Sequence, residues 1–182
     1  MTPPSELIDK DALIATYAAN FTLSAIVFPR FGPVPDAAMF RRSSALCLDV
    51  VGWRVEAGRS ASGRSGYRQI AECRTGAEGP GLLADMGVAT DPKARPNWRG
   101  GLVDGIVTTE PNHTSLITQL LSGAPLLRPM LVAARPAPGL AASMPPTTAG
   151  VTNNHRGYAV QWFLFAAIAT VIYGLALRRR SS

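Results

Sequence analysis

The chain has 182 residues, a net charge of +6 and a mean hydropathy of +0.12, with 47% of its residues hydrophobic. That is enough for one modest domain and too little for several. With the three arginines at 178–180 set aside, 15 Lys and Arg stand against 12 Asp and Glu; no stripe of cations is interleaved with aromatics, so nothing favours nucleic acid as a partner.

Residues 1–42 read as an N-terminal helix and an extended lead-in. Ser5 or Asp9 can cap a helix in which Leu7, Ile14, Tyr17 and Phe21 recur at helical spacing, to pack on the sheet or on a membrane surface. Pro29, Pro33 and Pro35 then forbid helix and enforce an extended, turn-rich path. The first residues carry neither the basic start nor the apolar stretch of a signal peptide.

Residues 43–136 have a β texture, and antiparallel strands are expected in SALCLDVVGWRVEA, GYRQIAEC, GLLADMGVA, LVDGIVTT and MLVAARP. The first changes its apolar face near Val50 and Val51, which predicts a bulge there. Between the last two, Thr114 or Ser115 starts a short helix that Gly123 ends. The fold class is α+β: an antiparallel β-sheet or open barrel with short helices, plus a C-terminal transmembrane helix.

A hairpin turning about Ser60 sets Cys47 opposite Cys73 and Trp53 opposite Tyr67. A cross-strand disulfide between Cys47 and Cys73 is one expectation in an oxidising compartment; two buried, unlinked thiols are the other. Two cysteines and two histidines scattered along the chain make no zinc spacing. No GxSxG, HExxH, P-loop or GxGxxG motif occurs in its needed context, so an enzyme is not expected.

Residues 137–157 form a Pro-rich tether and helix start, 158–177 a transmembrane helix, and 178–182 a basic tail. From Tyr158 to Leu177 no charged residue occurs, and twenty helical residues span about 30 Å, the thickness of a bilayer's hydrocarbon core. A buried core helix is the competing interpretation. Tyr158 and Trp162 sit where amphipathic rings prefer the interface, and Arg178, Arg179 and Arg180 against Arg156 alone place the C-terminus in the cytoplasm. The domain is then outside it, and because long domains usually translocate behind an N-terminal hydrophobic segment, a first transmembrane helix is expected upstream of Met1.

His113, in EPNHTS, reads as a solvated loop residue. His155 lies three residues before the span, beside Tyr158 and with Trp162 one turn further on. It is either an interfacial polar residue at a helix start capped by Asn153 and Asn154, or an axial ligand for haem iron with aromatic shelter at the bilayer edge.

NNHRGYAVQWFLFA, followed by an apolar run and three arginines, resembles the C-terminal signature of the SURF1 family of cytochrome c oxidase assembly proteins: a histidine, then Tyr-Ala, then Trp with an aromatic residue. His155, Tyr158, Ala159, Trp162 and Phe163 match it. FRRSSALCLDVVGW resembles the family's first strand, NWRGGLVDGIV a later Gly-rich strand, and KDALIATYAAN the segment after its first transmembrane helix. The family often has an Asn-Arg-Gly-Trp stretch in mid-domain; here ADMGVAT keeps only the glycine, Gly87. The resemblance covers nearly the whole chain, and only its C-terminal motif is specific.

The resemblance implies a non-catalytic factor in the bacterial inner membrane, its domain on the periplasmic side and its C-terminus cytoplasmic. Its cargo would be haem a, passed toward oxidase subunit I. His155 would ligate the haem iron, Tyr158 and Trp162 would pack on the macrocycle, and the β domain would dock to subunit I or haem A synthase. A rival class is a scaffold that stabilises an oxidase assembly intermediate without binding haem; a third is a redox protein using Cys47 and Cys73 as a thiol pair.

Overall fold

The computed structural model describes residues 4–76, 81–123, 125–148 and 155–180; within these, the side chains of residues 4–11, 116, 155–159, 174–176 and 180 lie outside the description. The chain divides into two units, Met1–Thr148 and Ala149–Ser182.

The first unit opens with α1 (Pro4–Asn20). Its end is held by side chains that the lead-in brings to it: Tyr17 is buried and donates its hydroxyl to Asp36 Oδ1 at 2.8 Å, while Asn20 Nδ2 donates to the carbonyls of Asp36 and Met39, each at 2.9 Å. Phe40 takes the left-handed conformation, φ 62°, which costs a bulky residue strain. It is compensated by ring contacts, edge-on to Tyr17 and stacked on Phe21, both at 5.3 Å.

Seven strands follow: β1 (Ile26–Val27), β2 (Arg42–Cys47), β3 (Asp49–Arg59), β4 (Ser65–Arg74), β5 (Leu82–Ala89), β6 (Gly101–Thr109) and β7 (Pro129–Ala133), with α2 (Leu116–Ser122) between the last two. They make one sheet in the order β1-β2-β6-β7-β5-β4-β3. Most neighbouring strands pair antiparallel, as expected, and the sheet is mixed because β7 returns beside β6 antiparallel and in doing so enters between β6 and β5, which forces it parallel to β5. The two-residue β1 also lies parallel to β2. Flanked on both sides, β5 and β7 are buried along their whole length.

β2 and β3 are separated by Leu48 alone, yet one pairs with β6 and the other with β4. The sheet therefore curls on itself as an open barrel of the small Greek-key kind, with β2 and β3 acting as one strand bent at Leu48. Two links close the bend: Leu48 N–H donates to the Arg74 carbonyl at 2.9 Å, and Cys47 is bonded to Cys73 with Cα atoms 5.2 Å apart. The register shifts between Val50 and Gly52, where a bulge is expected from the change of apolar face.

The hairpin alignment that set the cysteines opposite each other does not hold. Trp53 pairs with Ala71 and Tyr67 with Ala57, because the turn is centred two residues later than Ser60. Gly63 supplies the positive φ, 80°, that closes the Ser60–Arg64 loop. Cys47 lies across from Gly101 on β6, and its bond to Cys73 crosses the barrel seam rather than a hairpin. Trp53 meets Trp98 instead, with ring centroids 6.4 Å apart.

The barrel interior is apolar, with Ala71, Leu82, Ala84, Val107 and Leu131 almost fully buried. After β7 the Pro-rich stretch is extended, but its first half is strapped to the barrel. Ala137 N–H donates to Met86 O, Ala141 bridges Val88, and Ser143 bridges Ser60. Gly87 makes this possible: at φ 128°, a Cβ there would lie 2.6 Å from the Ala141 carbonyl oxygen and 2.8 Å from Leu140 Cβ.

The second unit is α3 (His155–Arg180), with its apolar window at Val160–Arg179.

Candidate functional site

In α3 every described side chain from Val160 to Tyr173 is exposed, including Trp162 at 69% and Phe163 at 77%. A helix whose described side chains are almost all apolar and exposed suits hydrocarbon as its solvent. Thr170 returns its hydroxyl to the Ala166 carbonyl at 2.8 Å, so its polar group needs no outside partner. The length and composition suffice to cross a bilayer.

His155 is helical, within α3, and Asn153 and Asn154, expected to cap this helix, lie outside the described residues. Helical register then puts His155, Tyr158 and Trp162, at i, i+3 and i+7, on one face. The side chains of His155 and Tyr158 lie outside the described residues; Trp162 packs edge-on to Phe165 with centroids 6.1 Å apart. Among the described residues no three His, Cys, Asp or Glu side chains gather around a metal-sized space.

In the β domain, Cys47 and Cys73 are 1% exposed each, and the bond between them leaves no free cysteine among the described residues. That removes the thiol pair from the surface and makes it a seam. The most polar interior feature was not anticipated. Asp85, with none of its side chain exposed, accepts from Arg68 Nε at 2.8 Å, from Ser143 Oγ at 2.8 Å and from the Gly87 amide at 3.2 Å. A signal did exist in the sequence, a lone carboxylate inside the apolar run LLADMGVA; its partners, one on β4 and one on the strap, had none. Beside Arg68 on β4, Gln69 is fully buried and neither amide atom has a partner among the described residues.

Arg68 also lines a shallow cavity of about 340 Å³ with Thr109, Pro111, Met130, Met144 and Pro146. The strap thus passes the base of the loop that carries α2. On the same surface Arg54 is held between Glu72 and Glu110, and His113 Nε2 lies 3.0 Å from Glu56 Oε1 while remaining exposed, as expected of a loop residue.

The SURF1 family profile matches residues 9–167, which takes in the whole barrel, the strap and the first half of α3. The chain belongs to the SURF1 family. No curated protein sequence and no solved structure matched it. SURF1 proteins are known for cytochrome c oxidase assembly and form an assembly-factor family rather than an enzyme family. Among the described residues of this SURF1 member, a disulfide-closed barrel and one helix of membrane-span length are the parts available for that work.

Proposed function

We propose that this SURF1 member is a membrane-anchored assembly factor for cytochrome c oxidase that assists haem A delivery into subunit I. The single observation that carries the proposal is the family match over residues 9–167, which joins the barrel to the HRGYAVQWF helix start in one unit of recognition. On this reading the barrel stands on the periplasmic side of the bacterial inner membrane and the arginines at 178–180 on the cytoplasmic side, where the excess of basic residues belongs. Haem a is cargo. His155 offers a neutral imidazole nitrogen to its iron, and Tyr158 and Trp162, on the same helical face, offer apolar ring surface to the macrocycle. The barrel is the surface that docks to subunit I or to haem A synthase. No bond in the cargo is made or broken, so delivery depends on relative affinity along the route.

The test is an absorption spectrum with haem extraction on the protein purified from membranes of cells that make haem A, beside His155→Ala. Stoichiometric haem a that disappears in the variant is the expected result. Haem in neither protein, with oxidase maturation still dependent on the protein, replaces delivery with a scaffold that holds subunit I during assembly.

A further inference from the structure

We propose that the loop between β6 and β7 inserts the apolar face of α2 into the leaflet of the membrane that borders the barrel. The inference rests on the anchored reading of α3 and concerns a separate surface.

α2 is amphipathic in the wrong sense for a soluble domain. Its polar side chains are used within the loop: Ser115 caps the helix by accepting from Thr118 N–H at 3.2 Å and bonds the Thr118 hydroxyl at 2.9 Å, and Gln119 Nε2 donates to Thr114 O at 2.8 Å. Its apolar side chains point away, with Ile117 73%, Leu120 86% and Leu121 80% exposed, and Leu126 adds another at 80%. Exposed apolar clusters of this kind mark contacts with another phase or partner.

Two further observations select lipid. From Pro111 to Leu127 the chain carries no Asp, Glu, Lys or Arg, so the loop can enter a bilayer's interfacial region without burying a charge. The base of the loop, Thr109 and Pro111, shares a cavity with Met144, Pro145 and Pro146 of the strap, from which the chain leaves toward α3. Nine residue steps separate Pro146 from His155, a reach of about 32 Å at most. A tether of that length permits the loop to reach the surface at which a spanning helix begins. Leu102, also exposed, begins the other end of β6, about 23 Å from Thr109 along the strand, and is flanked by the exposed Asp104.

The experiment uses the full chain reconstituted in phosphatidylcholine vesicles, with a nitroxide on a cysteine replacing Leu120, Leu102 or Val171, one at a time; Cys47 and Cys73 are bonded to each other and do not compete for label. Collision with oxygen, which concentrates in lipid, is compared with collision with a water-soluble nickel chelate. The expected oxygen-to-nickel ratio at Leu120 is several-fold above that at Leu102 and approaches that at Val171. A ratio at Leu120 equal to that at Leu102, with Val171 still in lipid, overturns the loop inference and leaves the anchor standing. Water access at Val171 removes the anchor and the loop inference together. Shielding of Leu120 from both reagents, with spin–spin broadening between labels, assigns the face to a second copy of the chain and also overturns insertion.

Discussion

Ser143 donates its hydroxyl to Asp85 at 2.8 Å across a separation of 58 residues, adding a buried side-chain bond to the backbone bonds that tie the strap to β5. Asp85 holds Arg68 with its other oxygen, so strap, β5 and β4 meet at one buried carboxylate.

Arg68→Met leaves the Asp85 charge buried without its counter-ion, and a loss of about 3–5 kcal/mol is expected. Ser143→Ala removes a hydroxyl that is one of three donors, and about 1–2 kcal/mol is expected. Urea unfolding of both variants checks the order. In addition, Ser143→Ala should accelerate proteolysis within 137–148 while the barrel fragment persists; equal protection in wild type and variant would show that the strap is held by its backbone bonds alone.

The Cys47–Cys73 bond closes 26 residues of chain, and Cys47→Ser with Cys73→Ser is expected to cost about 3 kcal/mol, most of it by freeing the unfolded chain. The doubly substituted barrel should remain folded at 25 °C and melt at a lower temperature, as measured by circular dichroism. Oxidase maturation in cells grown well below that melting temperature should persist. Its loss there, with the fold intact, would revive the thiol pair as a working redox couple.

Gln69 is the reverse case. Its amide is desolvated with no partner among the described residues, a cost of about 1–3 kcal/mol that an apolar side chain of similar volume avoids. Gln69→Met is expected to raise stability by about 1 kcal/mol. A clear loss on chemical unfolding would mean that the amide is satisfied in solution, for example by a buried water.

Tyr17 gives a pH dependence. Its burial, and then the hydrogen bond and negative charge of Asp36, push its hydroxyl from 10.0 up to about 12. The folded chain keeps this proton at pH values where the unfolded chain releases it, so the stability it contributes is fully present below pH 10 and is lost as pH rises toward 12. Tyr17→Phe should flatten that part of the curve. Coincident alkaline transitions in wild type and variant, followed by tryptophan fluorescence, would refute the coupling.

The local parts of this protein were legible from residue order. Strand segments, the bulge at Val50, the cap at Ser115 and stop at Gly123, and the span after Tyr158 all follow from periodicity, turn chemistry and hydrophobic length, which act within about twenty residues. What joins distant segments was decided in three dimensions. Cys47 and Cys73 are bonded, but not through the hairpin register that sets them opposite each other: the turn at Gly63 displaces that register, and the bond spans the seam of a curled sheet, which no hairpin offset describes. The crossing of β7 into a parallel place beside β5, the three donors around Asp85 and the outward leucines of α2 share that origin. Each depends on which surfaces meet after the barrel closes, and a single chain's spacing records only the distance between residues along it, not the side from which a partner will come.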